Sequence, residues 1–167
     1  MSKLLAARKK VKLPIRKGDR VLYLGVGAGR TAEIMLDSGV EVIYGVEIAP
    51  KPMKKFLELC GRHRNLIPIY ADARHPEKYS GIVEKVDLIY QDVAQPDQME
   101  IAIRNAEWFL REGGHAILMV KTRSIDVSTS PKEVIKKELE KLSNFKIIAS
   151  ERLSPSYPDH WVVIFRR

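Results

Sequence analysis

From Val21 onward, short apolar runs alternate with stretches of helical pattern, and no other feature of the chain constrains its fold as tightly. Apolar runs too short for a helix read as buried strands, and the amphipathic stretches between them read as crossover helices. Val21–Leu24, Glu41–Val46, Leu66–Tyr70, Val86–Tyr90 and Ala116–Val120 are therefore predicted strands of a mostly parallel sheet. Thr31–Asp37, Pro50–Cys60, Asp97–Arg111 and Ser130–Leu142 are predicted helices. Pro68 places the third strand toward an edge, because proline cannot donate to a ladder. Pro50 and Gly61 bound the second helix, and Cys60, after Phe56, Leu57 and Leu59, reads as a small core residue. Asp97 reads as the cap of the third helix. Two final strands, Phe145–Ala149 and Trp161–Phe165, flank Pro155-Ser156-Tyr157-Pro158 with no helix between them, so they must pair antiparallel.

The 167 residues fit one domain, with a short basic extension over about residues 1–19. A hydrophobic share of 45% and a charged share of 30% suit a packed globular chain and argue against disorder. The net charge of +8 points to a polyanionic partner such as nucleic acid, although a Lys-rich solvated surface gives the same count. Cys60 is the only cysteine, which excludes an intramolecular disulfide and a thiolate metal cluster. No stretch approaches the roughly 18 apolar residues of a membrane span and no signal peptide opens the chain, so a cytoplasmic location and no membrane partner are expected. No constellation has metal-ligand spacing, and His63, His75 and His115 read as structural.

The chemistry gathers where strands end. Leu24-Gly25-Val26-Gly27-Ala28-Gly29-Arg30-Thr31 follows the first strand and opens the first helix. Glycines at Gly25, Gly27 and Gly29 let backbone approach a ligand closely. Their alternate spacing is that of S-adenosylmethionine (SAM) enzymes rather than the dinucleotide G-x-G-x-x-G. Glu47 ends the second strand, where an acid can accept from ribose hydroxyls. Asp72 follows the third, where a carboxylate can pair with an adenine amino group. Val86–Tyr90 runs into Gln91-Asp92-Val93-Ala94-Gln95-Pro96, which sets Asp92 and Gln95 at the carboxyl edge of the sheet, where open α/β sheets bind ligands. Lys121 ends the fifth strand beside it. The expected architecture is the class I SAM-dependent methyltransferase fold. That fold is a Rossmann-like α/β three-layer sandwich on a seven-stranded, mostly parallel sheet whose C-terminal strand is antiparallel.

With these residues in place, the chain resembles the archaeal fibrillarins from about Ser2 to the C-terminus. The likeness is carried by SKLLAA at Ser2–Ala7, VLYLGVGAGRT at Val21–Thr31 and YGVEIAPKPM at Tyr44–Met53. RNLIPIYADARHPEKY at Arg64–Tyr79 and VDLIYQDVAQPDQ at Val86–Gln98 follow. NAEWFLREGGHAILMVKTRSIDV at Asn105–Val127 and SPSYPDHWVV at Ser154–Val163 complete it. The resemblance implies a SAM-dependent RNA 2′-O-methyltransferase of rRNA and tRNA. Its implied partners are a box C/D guide RNA, a Nop-family scaffold and a ribosomal-type kink-turn-binding protein, with homodimerisation left open. It implies cofactor contacts at Arg30, Thr31, Glu47, Ile48, Asp72, Ala73, Asp92, Val93, Ala94 and Gln95, and a catalytic set of Lys3, Asp92, Lys121 and His160. In that set Lys121 would meet the 2′-oxygen, Asp92 would orient Lys121 or the sugar, and His160 would orient or relay a proton.

Three departures qualify the match. The family's usual GAASGTT is GVGAGRT here, so the contact at Arg30 falls to backbone. The family's N-terminal β-domain is missing from this sequence, which therefore reads as a short form. The stretch from Lys3 to the first strand is also shortened, which leaves Lys9 and Lys12 as alternatives to Lys3. RNA contacts are sought at Arg74, Lys78, Arg123 and Arg8-Lys9-Lys10. Two further readings stay open: a stand-alone RNA 2′-O-methyltransferase paralogue, and a catalytically weak subunit that keeps only the fold and an interface.

Overall fold

A computed structural model describes all residues, Met1–Arg167. In chain order the elements are α1 (Lys3–Arg8), β1 (Arg20–Leu24), α2 (Arg30–Leu36), β2 (Val42–Glu47), α3 (Pro50–Cys60) and β3 (Leu66–Tyr70). Then come β4 (Val86–Gln91), α4 (Gln98–Phe109), β5 (Leu110–Lys121), α5 (Pro131–Glu140), β6 (Lys146–Arg152) and β7 (His160–Arg166). One seven-stranded sheet runs in the order β3-β2-β1-β4-β5-β7-β6. Every pairing from β3 across to β5 is parallel, and β7 is antiparallel to both β5 and β6. Pro68 lies on the edge strand β3, opposite Gly45 of β2.

Helices cover both faces, so β1 and β4 are buried on each side and read as continuous apolar runs. One core packs Leu22, Leu24, Ile89, Leu118, Val120 and Phe165 under Ala102, Ala106 and Phe109 of α4. The opposite core packs Val21, Tyr23, Tyr90, Ile117, Met119, Val162 and Ile164 under Leu4 and Ala7 of α1 and under α2 and α3. Strand parity fixes which residues share a face. Asp92 follows Tyr90 on the α1 side, Lys121 follows Met119, and His160 precedes Val162, so parity assigns all three to that face.

Several boundaries depart from the sequence reading. The basic extension begins with α1: Ser2 Oγ accepts from the Leu5 amide at 3.3 Å, and Leu4, Ala6 and Ala7 are buried. The helix predicted to Arg111 stops at Phe109, where Leu110 turns extended and starts β5 (φ −74°, ψ 124°). Gly114 permits this, because a Cβ there would lie 2.7 Å from Leu110 Cδ1 and 3.0 Å from the Asp87 carbonyl. In α3, Met53, Phe56 and Leu59 face inward at helical spacing, which leaves Leu57 exposed and Cys60 only half-buried rather than in the core. Asp97 makes no side-chain cap, since its carboxylate is held by Arg74.

Candidate active site

A cleft of about 260 Å³ opens at the carboxyl ends of β1, β2, β3 and β4. Its floor needs Gly25. That residue has φ +77°, and a Cβ there would lie 2.4 Å from the Asp92 carbonyl oxygen and 2.8 Å from Val93 Cγ1. The turn after β1 is thus pressed against the turn after β4. Gly29, the residue before α2, has φ +90° and faces Phe56 and Leu59 of α3, which a side chain would strike at 2.6 and 2.8 Å.

Glu47 fixes the turn to β2. Its Oε1 accepts from the Gly27 amide at 3.1 Å, and its Oε2 accepts from the Ile48 and Ala49 amides at 2.8 and 3.1 Å. A carboxylate has about four acceptor positions, so these three bonds orient the group and still leave capacity for a ligand hydroxyl. Asp72 Oδ1 accepts from the Arg74 amide at 2.9 Å. Ala73 is anchored from behind: its carbonyl accepts from Asn105 Nδ2 at 2.9 Å, and Asn105 is fully buried on α4. Arg74 ties the β3 loop to the β4 loop. Its Nε and Nη2 donate to both oxygens of Asp97 at 2.8 Å, and Nη2 also donates to Gln95 Oε1 at 3.0 Å.

At the β4 end of the cleft, Lys3 Nζ donates to Asp92 Oδ1 and Oδ2 at 2.8 and 3.0 Å. Both side chains are about three-quarters shielded (24% and 25% exposed), so the pair is neither a fully solvated nor a dry one. Lys121 and His160 are direct register partners across β5 and β7. The imidazole of His160 stands edge-on to Tyr157, with ring centroids 5.7 Å apart, and Tyr157 in turn donates its hydroxyl to the Met1 carbonyl. Burial holds the His160 pKa below the ordinary value; Lys3 and Lys121 push the same way, while Asp92 and Asp159 oppose them. The neutral imidazole is therefore favoured. Beneath Asp92, Tyr23 and Tyr90 meet edge-on at 4.7 Å, and burial raises both hydroxyls, with the charge of Asp92 adding to the shift.

A family model described as Fibrillarin matches residues 1–167. The chain belongs to the fibrillarin family. The fibrillarin-like rRNA/tRNA 2′-O-methyltransferase of Methanococcus maripaludis is 42% identical over 156 residues, which cover 92% of this chain and 68% of that relative. Among solved structures, the Methanococcus jannaschii fibrillarin pre-rRNA processing protein superposes with a TM-score of 0.94 at 43% identity, covering 99% of this chain and 74% of that one. A fibrillarin/Nop5p complex gives 0.93 at 47% identity (99% and 81%). Aeropyrum pernix fibrillarin with natively bound S-adenosyl-L-methionine gives 0.88 at 46% (98% and 74%).

Set against the fibrillarin pattern, the predicted residues divide by place. Gly25, Glu47, Ile48, Asp72, Ala73, Asp92, Val93, Ala94 and Gln95 line the cleft. Gly27, Gly29, Arg30 and Thr31 do not line it; Gly27 is held by Glu47, and Arg30 and Thr31 form the first turn of α2. Lys3, not Lys9 or Lys12, is the lysine on Asp92, because the buried Leu4, Ala6 and Ala7 dock α1 with Lys3 at its cleft end. Of the residues sought as RNA contacts, Arg74 has its guanidinium engaged by Asp97 and Gln95. Arg123 Nε lies 3.5 Å from Asp159, and Arg8 donates to Ser38 Oγ. Sequence reasoning missed Asn105, the Arg74–Asp97 pair, Tyr157 and Gln98. Only a buried, polar position on the apolar face of α4 could have signalled Asn105 and Gln98.

Proposed function

We propose that this fibrillarin-family chain methylates the ribose 2′-hydroxyl of rRNA and tRNA, with SAM as methyl donor, as the catalytic subunit of a box C/D guide complex. The observation that carries the reading is the Lys3–Asp92 ion pair at the edge of the glycine-floored cleft, on the same sheet face as the Lys121–His160 register pair. Complex formation is supported by the fibrillarin/Nop5p relative, and the cofactor by the Aeropyrum pernix relative with bound SAM.

The residues present fit SAM. Gly25 lets the turn after β1 lie directly against the turn after β4 beneath the cleft, Glu47 keeps acceptor capacity for ribose hydroxyls, and Asp72, which lines the cleft, has one oxygen that accepts no hydrogen bond from the protein. Val46, Ala73 and Ile101 supply apolar wall for an adenine ring. When bound, SAM supplies an electrophilic methyl on a cationic sulfur. The chain must then align the 2′-oxygen with that methyl and remove the hydroxyl proton as the O–C bond forms and the C–S bond breaks. Lys121 is assigned to meet the 2′-oxygen and stabilise its developing charge. Asp92, fixed by both of its bonds to Lys3, orients the sugar and Lys121. His160, whose pKa is lowered chiefly by burial, offers a lone pair to take up or relay the proton. Lys3 holds Asp92 in place through both carboxylate oxygens.

In this reading, base pairing to the guide selects the nucleotide, and a kink-turn-binding protein completes the assembly with the scaffold. The test is a radiolabelled transfer assay with SAM and cognate RNA, with and without scaffold, kink-turn protein and guide. Transfer only with the full assembly supports the proposal. Transfer to free RNA by the chain alone supports a stand-alone enzyme instead. No transfer under either condition makes it a binding subunit.

A further inference from the structure

Gln98 opens α4 and is 1% exposed, yet its side chain makes three hydrogen bonds. Its Oε1 accepts from the Lys121 amide at 2.9 Å. Its Nε2 donates to the Lys121 carbonyl at 3.2 Å and to the Gln95 carbonyl at 2.7 Å. A primary amide has the same donor and acceptor pair as a peptide group. Gln98 therefore substitutes for a neighbouring strand at the end of β5. The register with β4 closes at Gln91–Leu118, and Lys121 lies three residues beyond it. The backbone carbonyl of Gln98 is itself held by Gln91 Nε2 at 2.6 Å, from the position just before Asp92.

We infer that Gln98 is a positioning residue for the transfer reaction: it clamps the main chain of Lys121 and joins it to Gln95, one of the β4-loop residues that line the cofactor cleft. The inference rests on the methyl-transfer reading above. Gln98 touches no reacting atom. Its side chain locks both main-chain groups of Lys121, so the lysine leaves the sheet in one direction. The same amide nitrogen binds Gln95, so the cleft wall and the lysine are held by a single side chain. A purely structural role would require only that the buried amide be satisfied. The particular partners here are the two sides of the reaction centre.

A double-mutant cycle tests this with the whole chain in the active assembly. Gln98→Leu removes the clamp at similar volume, and Gln98→Glu keeps the acceptor for the Lys121 amide but loses the donor to both carbonyls. The expected result for either variant is a kcat lower by about tenfold or more, with a smaller change in SAM affinity. In a Lys121→Ala background the same change at Gln98 should cost little further, because there is no side chain left to position. Equal losses in both backgrounds would overturn the inference while leaving the reading of Lys121 intact. A Lys121→Ala enzyme at full rate would instead overturn the reading itself. Should neither Gln98 variant fold, the Lys121 amide in the unaltered chain decides. Slow hydrogen exchange is expected, and exchange at the rate of a free loop amide would overturn the clamp.

Discussion

At the scale of single residues, the glycine turn separates steric need from conformational habit. Gly25 and Gly27 both have positive φ, but only Gly25 is pressed against another chain segment. Gly25→Ala must push the β4 turn, and with it Asp92, so a stability loss of about 2–3 kcal/mol and a loss of SAM binding of about tenfold or more are expected. Gly27→Ala meets nothing within 4 Å and should cost only the left-handed strain of about 1–2 kcal/mol. Thermal melts and calorimetric titration with SAM check the contrast, and equal damage at the two positions would refute it. His160 gives a second test. Its pKa lies below the ordinary 6.5 because it is buried and faces cations. The unfolded chain takes up the proton first, so the stability this group contributes is present above about pH 6.5 and is lost as pH falls toward its folded pKa. Lys3→Met removes one of those cations and leaves Asp92 unpaired, so the imidazole should titrate at higher pH. An NMR titration of the ring that stays put in Lys3→Met would show that the two groups are not coupled.

At the scale of elements, α1 is what brings Lys3 to the site. It spans only six residues and is held by Leu4, which is fully buried. Leu4→Ala should cost about 2–4 kcal/mol and should lower the transfer rate, because the lysine on Asp92 loses its anchor. Urea unfolding and a rate measured well below the melting range separate the two effects; an unchanged rate would mean that the ion pair forms without the anchor. This helix was not legible in the sequence, since Leu4-Leu5-Ala6-Ala7 completes less than two turns and shows no period. The break between α4 and β5 was hidden for the opposite reason. Leu110 continues the apolar rhythm of the helix, and only the contacts of Gly114 show why the chain turns there. The strands were legible, because residues buried on both faces of a parallel sheet leave continuous apolar runs. Asp92, Glu47 and Asp72 were legible because acids directly after such runs are rarely needed for packing. Gln98 and Asn105 were not, since a neutral amide that bonds to main chain leaves no charge pattern to read.

At the scale of the whole molecule, the net charge of +8 has to be weighed against where the cations are spent. Arg20, Arg74, Arg111 and Lys141 are paired with carboxylates. Lys9, Lys10 and Lys12 of the extension and Lys51, Lys54 and Lys55 of α3 belong to segments packed on one face of the sheet, Lys132, Lys136 and Lys137 belong to α5 on the other, and none of them makes an ion pair within 4 Å. Cations dispersed in this way attract phosphates from many directions and read no base. The chain alone should therefore bind a box C/D guide and an unrelated RNA of equal length with similar affinity, and both affinities should fall steeply and in parallel with salt. Under the proposed function, base pairing and the scaffold would fix the strand in the assembled complex, so discrimination between target and non-target ribose should appear only there. Fluorescence anisotropy across a salt series, run on both RNAs with the chain alone, measures this directly. A strong preference for the guide that persists at high salt would mean that the chain carries an RNA-reading surface of its own.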